Sequence, residues 1–598
     1  MRLWHRFDVR EAAVATAVVA SGPRTVRRCV VRLPDVAALR ALSLEAVDPC
    51  RVKSAMFVIE SIQEPMGGLG ARQFAPPDSN LVRLSISRPE SYPGPARVSI
   101  QLSALCTLHE LAAVVLDLLW PQRRLHAWVS ARVSVSPGTS SRVLALLPDG
   151  VGRPRLPEPR PEVLQGEDVV LHDAADAPEP EPGVLLLPMN AAGGISTTSK
   201  ELWPVLDLRV HRPIGRVDGR VSETGEMARL VRTRDQLTIV GQADQRLWSG
   251  SIHAPLVQSD IEVMHTVRSI DLGTTAAADE HHFEYSSRVA ELAAAGPVLF
   301  SEERSGTDLS YLGPRLAAAI SDATVPAPGT PTVLRSVRQR RAALWAHGGL
   351  FRLDRALRER ERPSLLPAVS AVLVSKRPDR ALVTLKSLAA QSYERLEVVL
   401  AMHGTSLPDL GTLSDEARAM ISAAVEIDGA VSFGEALGRA SSLASGDLVA
   451  KIDDDDLYST EHVSDLVLAY LYSGANVVGK QPEFVYLEHK DRTLRRKFSS
   501  EAFVRAVAGG TIMISVADLH SVGGWRPVPR SVDRALLERV HESGGSVYAA
   551  HSPGFVYVRH ADGHTWQVRT KRYLDTALEK WPGLHHELLD EPVAQESQ

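Results

Sequence analysis

Four consecutive aspartates, at positions 453–456, directly follow the short apolar run 448–452. A run of this length and composition is typical of a buried strand, so the four carboxylates emerge together where the strand ends. Adjacent ionised carboxylates repel one another, which raises their pKa values unless a cation offsets the charge. The run therefore predicts a divalent-metal site, and hard oxygen ligands without a nearby cysteine favour Mg2+ or Mn2+ over Zn2+. Because Mg2+ commonly binds carboxylates together with substrate phosphates, we expect a phosphorylated small molecule as substrate.

Two other interpretations of the aspartates differ in strength. A solvated loop or helix cap is a common use of acidic runs, and the position at a strand end argues against it. A calcium EF-hand fits badly, because with Asp453 as the first loop position Leu457 would stand where a ligand is needed. Tyr458 would then occupy the position that requires glycine.

The length and charge of the chain limit its class. At 598 residues it has room for three or four domains of roughly 150 residues each. Its composition, 44% hydrophobic and 23% charged, is that of a globular protein. The net charge is −5, from 67 basic and 72 acidic residues, so no basic surface for a nucleic-acid partner is indicated. Cys29, Cys50 and Cys106 lack metal-binding spacing and are expected to be reduced core residues.

No apolar run approaches the roughly 18 residues that span a bilayer. The longest, at residues 108–120, is interrupted by Glu110 and Asp117 and predicts a buried helix. The N-terminus carries no signal-peptide pattern, so the expected location is the cytoplasm. We predict no transmembrane segment, which leaves peripheral membrane association open.

Changes of pattern along the chain divide it into six predicted segments. Residues 1–150 show alternating strands and predict an α+β or β-rich domain, with a structural role favoured over carbohydrate binding or protein docking. Residues 151–183 are rich in proline and acidic residues and predict a linker. Residues 184–342 alternate strands and helices and predict an α/β domain, and residues 343–365 a helical connector. A catalytic domain at 366–570 and a C-terminal helix and tail at 571–598 complete the chain.

A regular βα alternation begins after Pro367. Apolar runs at 369–374, 396–400 and 448–452 alternate with amphipathic segments after Pro378 and at 433–445. This predicts an open, mostly parallel, Rossmann-like sheet, and ligands of such sheets bind beyond the carboxyl ends of the strands. The four aspartates occupy that edge.

Three segments in this order resemble a family 2 glycosyltransferase with the GT-A fold. They begin Val-Ser-Ala-Val-Leu-Val-Ser-Lys-Arg-Pro at 369, Ser-Leu-Ala-Ala-Gln-Ser-Tyr at 387 and Ala-Ser-Gly-Asp-Leu-Val-Ala-Lys-Ile-Asp-Asp-Asp-Asp at 444. A second resemblance concerns residues 184–350. Glu284, Arg288, Glu291 and an Ala-Ala-Gly-Pro turn are similar to the C-terminal half of CgeB-like GT-B glycosyltransferases, which implies a non-catalytic remnant or scaffold.

The family 2 resemblance implies a role for specific residues. Asp453 and Asp455 match the two acids of the D-x-D motif. The implied metal ligands are Asp455, Asp456 and a histidine. His564 is the first choice for that histidine and His560 the second. The implied donor and nucleotide contacts are Ser375, Lys376, Arg377, Asp453 and Asp454, although Lys376 and Arg377 are equally consistent with plain surface charges.

Further roles are implied downstream. Asp533 matches the general base that takes the acceptor hydroxyl proton, although an aspartate in a first helical turn is also a common cap. The implied acceptor contacts are Gly523, Gly524, Trp525 and Trp566. Trp525 has an alternative role as a core anchor. The sequence departs from the family at the end of the second strand. Residues 401–405 read Ala-Met-His-Gly-Thr where an acidic turn usually contacts the nucleotide, so the donor is not specified.

The leading hypothesis is a metal-dependent, inverting glycosyltransferase with Mn2+ or Mg2+ as cofactor. Its expected partners are a nucleotide-diphosphate sugar donor and a hydroxyl of a glycan, lipid-linked or small-molecule acceptor. The alternative is a catalytically degenerate GT-A protein that binds glycans or assists assembly. A nucleotidyltransferase is a third hypothesis. The absence of a visible glycine-rich phosphate loop in this sequence argues against it.

Overall fold

The computed structural model describes most of the chain from residue 206 onward, together with separate segments before it. The described residues are 5–8, 24–34, 39, 50–62, 81–87, 94–108, 111, 112, 115, 131–136, 139–146, 169–173, 185–189, 195, 196, 202, 203, 206, 208, 211–216, 221, 223–256, 258–273, 281–301, 309, 312–321, 327–359, 364, 366–542, 545–560 and 570–589.

The chain divides into two compact units. The first comprises Met1–Val133, Ser140–Pro188 and Val540–Ser546, and the second Ser134–Thr139, Met189–Arg539 and Val547–Gln598. The first unit contains a five-stranded sheet in the order β1-β2-β3-β5-β4. Its strands are β1 (His5–Asp8), β2 (Arg24–Leu33), β3 (Cys50–Ile62), β4 (Leu81–Ser87) and β5 (Gly94–Thr107).

Shorter strands follow between residues 131 and 203. They are β6 (Ala131–Ser136), β7 (Thr139–Leu146), β8 (Val169–Asp173), β9 (Leu185–Met189), β10 (Ile195–Ser196) and β11 (Leu202–Trp203). β8 pairs in parallel with β7 and lies inside the segment predicted as a linker. Its Val-Val-Leu core is short and follows a proline-rich stretch, and the prediction gave more weight to that stretch than to the strand. The described residues of the predicted helix at 108–120 are helical and buried.

The second unit begins with a five-stranded sheet in the order β14-β13-β12-β15-β16. Its strands are β12 (Glu226–Thr233), β13 (Gln236–Val240), β14 (Arg246–Ser251), β15 (Val267–Asp271) and β16 (Val298–Phe300). The helices are α1 (Gln258–Met264), α2 (His282–Ala295), α3 (Gly313–Ile320), α4 (Thr330–His347) and α5 (Gly349–Arg358). Helix α2 ends at Gly296, whose φ of 114° is in the left-handed region that glycine adopts without steric cost.

An eight-stranded sheet forms the centre of the C-terminal part, in the order β19-β18-β17-β20-β26-β22-β27-β25. Its strands are β17 (Val369–Ser375), β18 (Leu396–His403), β19 (Ile421–Ile427), β20 (Leu448–Ile452), β22 (Val477–Lys480), β25 (Ala502–Phe503), β26 (Met513–Ser515) and β27 (Val547–Ala550). The first four run parallel to one another, and β26 pairs antiparallel with both β20 and β22.

Helices connect these strands. They are α6 (Pro378–Ala389), α7 (Asp415–Ala419), α8 (Phe433–Ser441), α9 (His462–Ser473), α10 (Val516–Ser521) and α11 (Val532–Glu542), and α12 (Thr570–Asp575) follows near the end of the described chain. α6 begins with proline at its first position, where no backbone N–H is needed, and it buries Leu385 and Leu388 against the sheet. β17 and β20 are buried along their whole length, as expected for strands covered on both faces.

A smaller sheet, in the order β21-β28-β23-β24-β29, lies in the same unit. Its strands are β21 (Leu457–Tyr458), β23 (Phe484–Leu487), β24 (Arg492–Arg496), β28 (Phe555–Arg559) and β29 (Ala577–Pro582). β21 immediately follows the four aspartates and pairs with β28. The acidic run is therefore a tight connection between two sheets.

Two neighbouring arginines of α4 make buried ion pairs with acids of the C-terminal part. Arg341 Nε lies 2.7 Å from Asp465 Oδ1, and Lys480 Nζ lies 3.0 Å from Asp465 Oδ2. Arg340 Nη2 lies 3.0 Å from Glu501 Oε1. Both acids are almost fully buried, so these pairs are screened little by solvent.

The architecture confirms the predicted multidomain α/β class with a mostly parallel C-terminal sheet. The predicted strands at 369–374, 396–400 and 448–452 are β17, β18 and β20. Among the described residues, no helix is long and apolar enough to cross a membrane.

Candidate active site at the edge of the central sheet

The carboxyl ends of β17 and β20 bring two predicted groups together. The strands are parallel neighbours with Leu373 opposite Ile452, so Ser375 and the first aspartates leave the sheet at the same edge. Ser375 Oγ donates a hydrogen bond to Asp454 Oδ2. Arg377, which directly precedes α6, donates from Nε to the same oxygen at 3.0 Å.

Arg377 also reaches the next aspartate. Its Nη2 lies 3.0 Å from Asp455 Oδ2 and makes a second contact with Asp454. These two acids raise the pKa of Arg377 further above its ordinary value, mainly through the hydrogen bond to Asp454. Lys376 is exposed to solvent. The predicted donor-side residues Ser375, Arg377 and Asp454 therefore form one connected group.

Asp453, Asp455 and Asp456 form a group that can hold a cation. Each offers a carboxylate oxygen, and the three oxygens lie within 4.8 Å of one another. Burial raises the pKa of Asp453, with Asp533 and Asp455 adding to the increase and Lys451 opposing it. Burial and the charges of Asp453 and Asp455 raise the pKa of Asp456 well above its ordinary value.

The chemistry of this donor set fits a hard divalent cation. The ligands are carboxylate oxygens only, which suit Mg2+ or Mn2+. Burial is the main cause of the raised pKa values of Asp453 and Asp456, and a bound cation would oppose it. Asp456 Oδ1 already accepts a hydrogen bond from Val558 N at 3.0 Å, which fixes the orientation of that side chain.

A buried lysine links this group to Asp533. Lys451 is 2% exposed, and its Nζ lies 2.5 Å from Asp453 Oδ1 and 3.5 Å from Asp533 Oδ1. Burial alone would lower its pKa, but Asp453 and Asp533 together raise the pKa of Lys451 above its ordinary value. Sequence reasoning missed Lys451. Its signal was a single basic residue inside an otherwise apolar strand, where an unpaired charge would be costly.

Asp533 lies in the first turn of α11 and faces the same edge. Its Oδ1 is buried and has no hydrogen-bond partner among the described residues, while the side chain as a whole is 34% exposed. A carboxylate that serves only as a helix cap would accept a backbone N–H. Asp533 instead presents an unused acceptor next to Lys451, which suits a proton acceptor.

Two consecutive glycines allow the close approach of these acids. A Cβ on Gly509 would lie 2.1 Å from Asp533 Oδ2, and a Cβ on Gly510 would lie 2.9 Å from Asp453 Oδ2. The hydroxyl of Tyr458 donates to Gly510 O at 3.0 Å and so ties this loop to the acidic connection. The Gly-Gly pair therefore packs directly against the two acids that Lys451 joins.

The predicted acceptor residues form a turn that packs against helices. Gly523 and Gly524 have φ of 81° and 69°, and Arg539 donates to the carbonyls of Val522 and Gly524 at 2.6 Å each. Trp525 is 6% exposed, and its Nε1 donates to Ser441 Oγ at 2.8 Å. This is the arrangement expected of the core-anchor alternative for Trp525.

Of the two histidines predicted as metal ligands, the structure describes only His560. His560 has one ring nitrogen 2.7 Å from Glu488 Oε2 and the other 2.6 Å from Arg380 Nη1, so both ring nitrogens have partners other than the aspartates. His564 and Trp566 lie outside the described residues.

The sequence departs from the family 2 pattern at residues 401–405, at the end of β18. There His403 Nε2 lies 3.0 Å from Val431 O, and the following Gly404 has a φ of 74°.

Of the residues of the CgeB-like resemblance, Arg288 and Glu291 of α2 are buried. Arg288 Nη2 lies 2.8 Å from Glu291 Oε1, and Glu291 Oε2 accepts from Leu256 N at 3.0 Å. Burial lowers the pKa of Arg288, while Glu291 and Glu284 oppose that effect. These contacts are consistent with a structural role for Arg288 and Glu291.

Comparison with known proteins gave similarities in structure alone. No family model and no curated protein matches the sequence. The chain is similar to S. aureus TarS residues 1–349 in complex with UDP-GlcNAc, with 14% identity and a TM-score of 0.28 over 35% of this chain and 64% of that one. It is also similar to the mannosyltransferase PcManGT from Pyrobaculum calidifontis in complex with GDP-Man and Mn2+, with 14% identity and a TM-score of 0.26. That match covers 33% of this chain and 59% of the other, so the chain spans less than two thirds of both.

Proposed function

We propose that residues 366–570 form a GT-A domain of the family 2 type that transfers a sugar from a nucleotide-diphosphate donor to a hydroxyl acceptor with inversion. The observation that carries this proposal is the pairing of Lys451 with both Asp453 and Asp533. The side chain of Lys451 thus joins Asp533, the candidate base, to Asp453, which belongs to the carboxylate group suited to a metal. Asp453 and Asp533 lie far apart in the sequence. Metal-dependent glycosyl transfer with inversion needs both functions at one place.

In this proposal the acceptor hydroxyl oxygen attacks the anomeric carbon while the bond from that carbon to the donor diphosphate breaks. Asp533 takes the hydroxyl proton, and the electron pair of the broken bond leaves with the nucleoside diphosphate. Asp453, Asp455 and Asp456 would hold Mn2+ or Mg2+. The ion supplies charge stabilisation for the departing diphosphate. Arg377 and Ser375 orient Asp454 and Asp455 from the neighbouring strand.

The proposed test measures nucleoside diphosphate release from a panel of nucleotide sugars with Mn2+ or Mg2+ and with candidate glycan, lipid-linked and small-molecule acceptors. Asp533→Asn should lower turnover by at least about 100-fold, the lower end of general-base contributions. Asp455→Asn should lower it and weaken metal dependence. Asp415→Asn, an exposed acid on α7, should leave turnover unchanged. Unaltered turnover in Asp533→Asn would refute the assignment of the base.

One observation favours a second candidate function. Arg377 pairs with Asp454 and Asp455, and Lys451 pairs with Asp453, so protein cations already neutralise part of the acidic group. A degenerate GT-A domain that binds sugars or glycans without a metal would use this arrangement. Donor binding that survives EDTA, with no release of nucleoside diphosphate from any donor and acceptor pair, would support it. Release of pyrophosphate would indicate nucleotidyl transfer instead.

A further inference from the structure

Two histidines and an aspartate converge next to the five-stranded sheet formed by β12 to β16. His253 Nε2 lies 3.4 Å from Asp235 Oδ1, and His281 Nε2 lies 3.8 Å from the same oxygen. The two imidazole rings meet edge to face with centroids 4.9 Å apart. One ligand atom from each of the three residues lies within 4.8 Å of the others.

The three residues come from different structural elements. Asp235 is in the hairpin turn between β12 and β13, His253 follows β14, and His281 directly precedes α2. Local sequence therefore does not bring them together. Their exposed fractions are 58%, 45% and 21%, so an ion can reach them from solvent.

We propose that Asp235, His253 and His281 bind a transition-metal ion of the Zn2+ class, with a water as the fourth ligand. Zn2+ binds histidine nitrogen and carboxylate oxygen at about 2.0–2.2 Å, which in tetrahedral geometry sets neighbouring ligand atoms roughly 3.2–3.6 Å apart. The two measured separations, 3.4 and 3.8 Å, need only small side-chain adjustments to meet that geometry.

The backbone around the site is held in place without an ion. Ile252 N donates to Asp235 O at 2.9 Å, which fixes the segment bearing His253 against the hairpin turn. His253 N also donates to Ser251 Oγ at 3.2 Å. The helix that follows His281 is buried along most of its length, from Tyr285 to Ala295. A site assembled on fixed elements loses little conformational entropy when the ion binds.

The donor chemistry separates this site from the carboxylate group of the C-terminal sheet. Imidazole nitrogens suit Zn2+, Co2+, Ni2+ and Cu2+, whereas Asp453, Asp455 and Asp456 offer oxygen ligands only. The ion would join the β12–β13 turn, the segment after β14 and the start of α2. Because the proposal concerns a separate group of residues, it does not depend on the glycosyltransferase assignment.

The test uses Co2+ as a spectroscopic probe on the full chain. Co2+ alone should produce the strong visible absorption of a tetrahedral site with nitrogen ligands, and Zn2+ should displace it. His253→Ala and Asp235→Asn should each weaken Co2+ binding by more than about 100-fold, because losing even an outer-shell partner costs roughly 10–100-fold. Far-ultraviolet circular dichroism would verify that both variants are folded.

Two matched variants complete the experiment. His520→Ala removes an exposed histidine elsewhere in the chain and should leave the absorption unchanged. Asp455→Asn alters the carboxylate group and should also leave it unchanged. A weak octahedral spectrum, or a tetrahedral one that survives in folded His253→Ala, would overturn the proposal. In that case the cluster is held together by hydrogen bonds and ring contacts alone.

Discussion

The ammonium group of Lys451 lies 3.5 Å from the carboxylate of Asp533, and it reaches that position from inside a buried strand. Its other contact, at 2.5 Å, is with Asp453. Its positive charge opposes the rise in the pKa of Asp453 that burial causes, and it lies between a candidate metal ligand and the candidate base. Lys451 is therefore a positioning residue for both halves of the proposed site.

Replacement of Lys451 by methionine should destabilise the metal-free protein and increase its response to Mn2+. The variant leaves two partly buried carboxylates without their counter-charge, which should cost about 1–3 kcal/mol in the free energy of unfolding. A divalent ion can replace the lost charge, so added Mn2+ should raise stability more in Lys451→Met than in the wild type. Urea unfolding with and without Mn2+ measures this, and the exposed Lys386→Met serves as control. Equal Mn2+ responses in all three proteins would contradict the proposed role.

Replacement of Gly509 by alanine should impair turnover by displacing Asp533. The added methyl group would lie 2.1 Å from Asp533 Oδ2, so the carboxylate must move. Displacement of a catalytic group by about 1 Å can lower turnover by roughly 100-fold. Gly438→Ala is the matched control, because a Cβ there meets nothing within 4 Å and a helical alanine is favoured over glycine by about 1 kcal/mol. A Gly509→Ala enzyme as active as Gly438→Ala would argue against Asp533 as the base.

Asp465→Asn should strongly destabilise the fold. The substitution leaves Arg341 and Lys480 buried with their shared carboxylate removed, and breaking such a pair costs about 3–5 kcal/mol. Chemical denaturation would measure the loss. Glu538→Gln breaks the exposed pair with Arg534 and should change stability by less than about 0.5 kcal/mol.

The same acid predicts how stability responds to pH. Although burial acts in the opposite direction, Arg341, His551 and Lys480 hold the pKa of Asp465 well below its ordinary value. A carboxyl group with a lowered folded-state pKa contributes its full stability above its unfolded-state pKa, about 3.9, and loses it as the pH falls toward the folded-state value. Below about pH 5 the stability difference between wild type and Asp465→Asn should therefore shrink as the solution becomes more acidic. A difference that grows on acidification would show that the sign is wrong.

Trp525 provides a test of the acceptor-side prediction. Trp525→Ala should cost about 3–5 kcal/mol of stability, because the ring is buried and its hydrogen bond to Ser441 is lost. Trp525→Phe keeps most of the packing and should cost about 1 kcal/mol. If the ring is a core anchor, the phenylalanine variant keeps the KM for acceptor. A large increase in that KM at preserved stability would favour direct stacking on the sugar.

The C-terminal fold was predictable because its signals are local and follow the chain in order. The apolar strand at 448–452 and the acids after it are adjacent in sequence, and their place at the edge of the sheet follows from parallel topology. The approach of Asp533 to Lys451 was not predictable from spacing, since it depends on how α11 packs and on Gly509 leaving room for the carboxylate.

The cluster of Asp235, His253 and His281 gave no sequence signal for a related reason. Each residue stands alone in its segment, without the short spacing that marks most metal motifs, and only the pairing of β12, β13 and β14 brings the segments together. Strand β8 was missed because proline density around it outweighed three apolar residues. In both cases the decisive information is a long-range contact.

Arg340 and Arg341 limit how this protein can be divided. The sequence suggested a boundary in the connector at 343–365, yet these two arginines precede it while their partners Glu501 and Asp465 follow it. A truncated chain starting at residue 366 would remove one cationic partner from each acid. Helix α4 and the C-terminal part should therefore unfold together in one cooperative transition. Recombination that exchanges the C-terminal part must carry α4 with it.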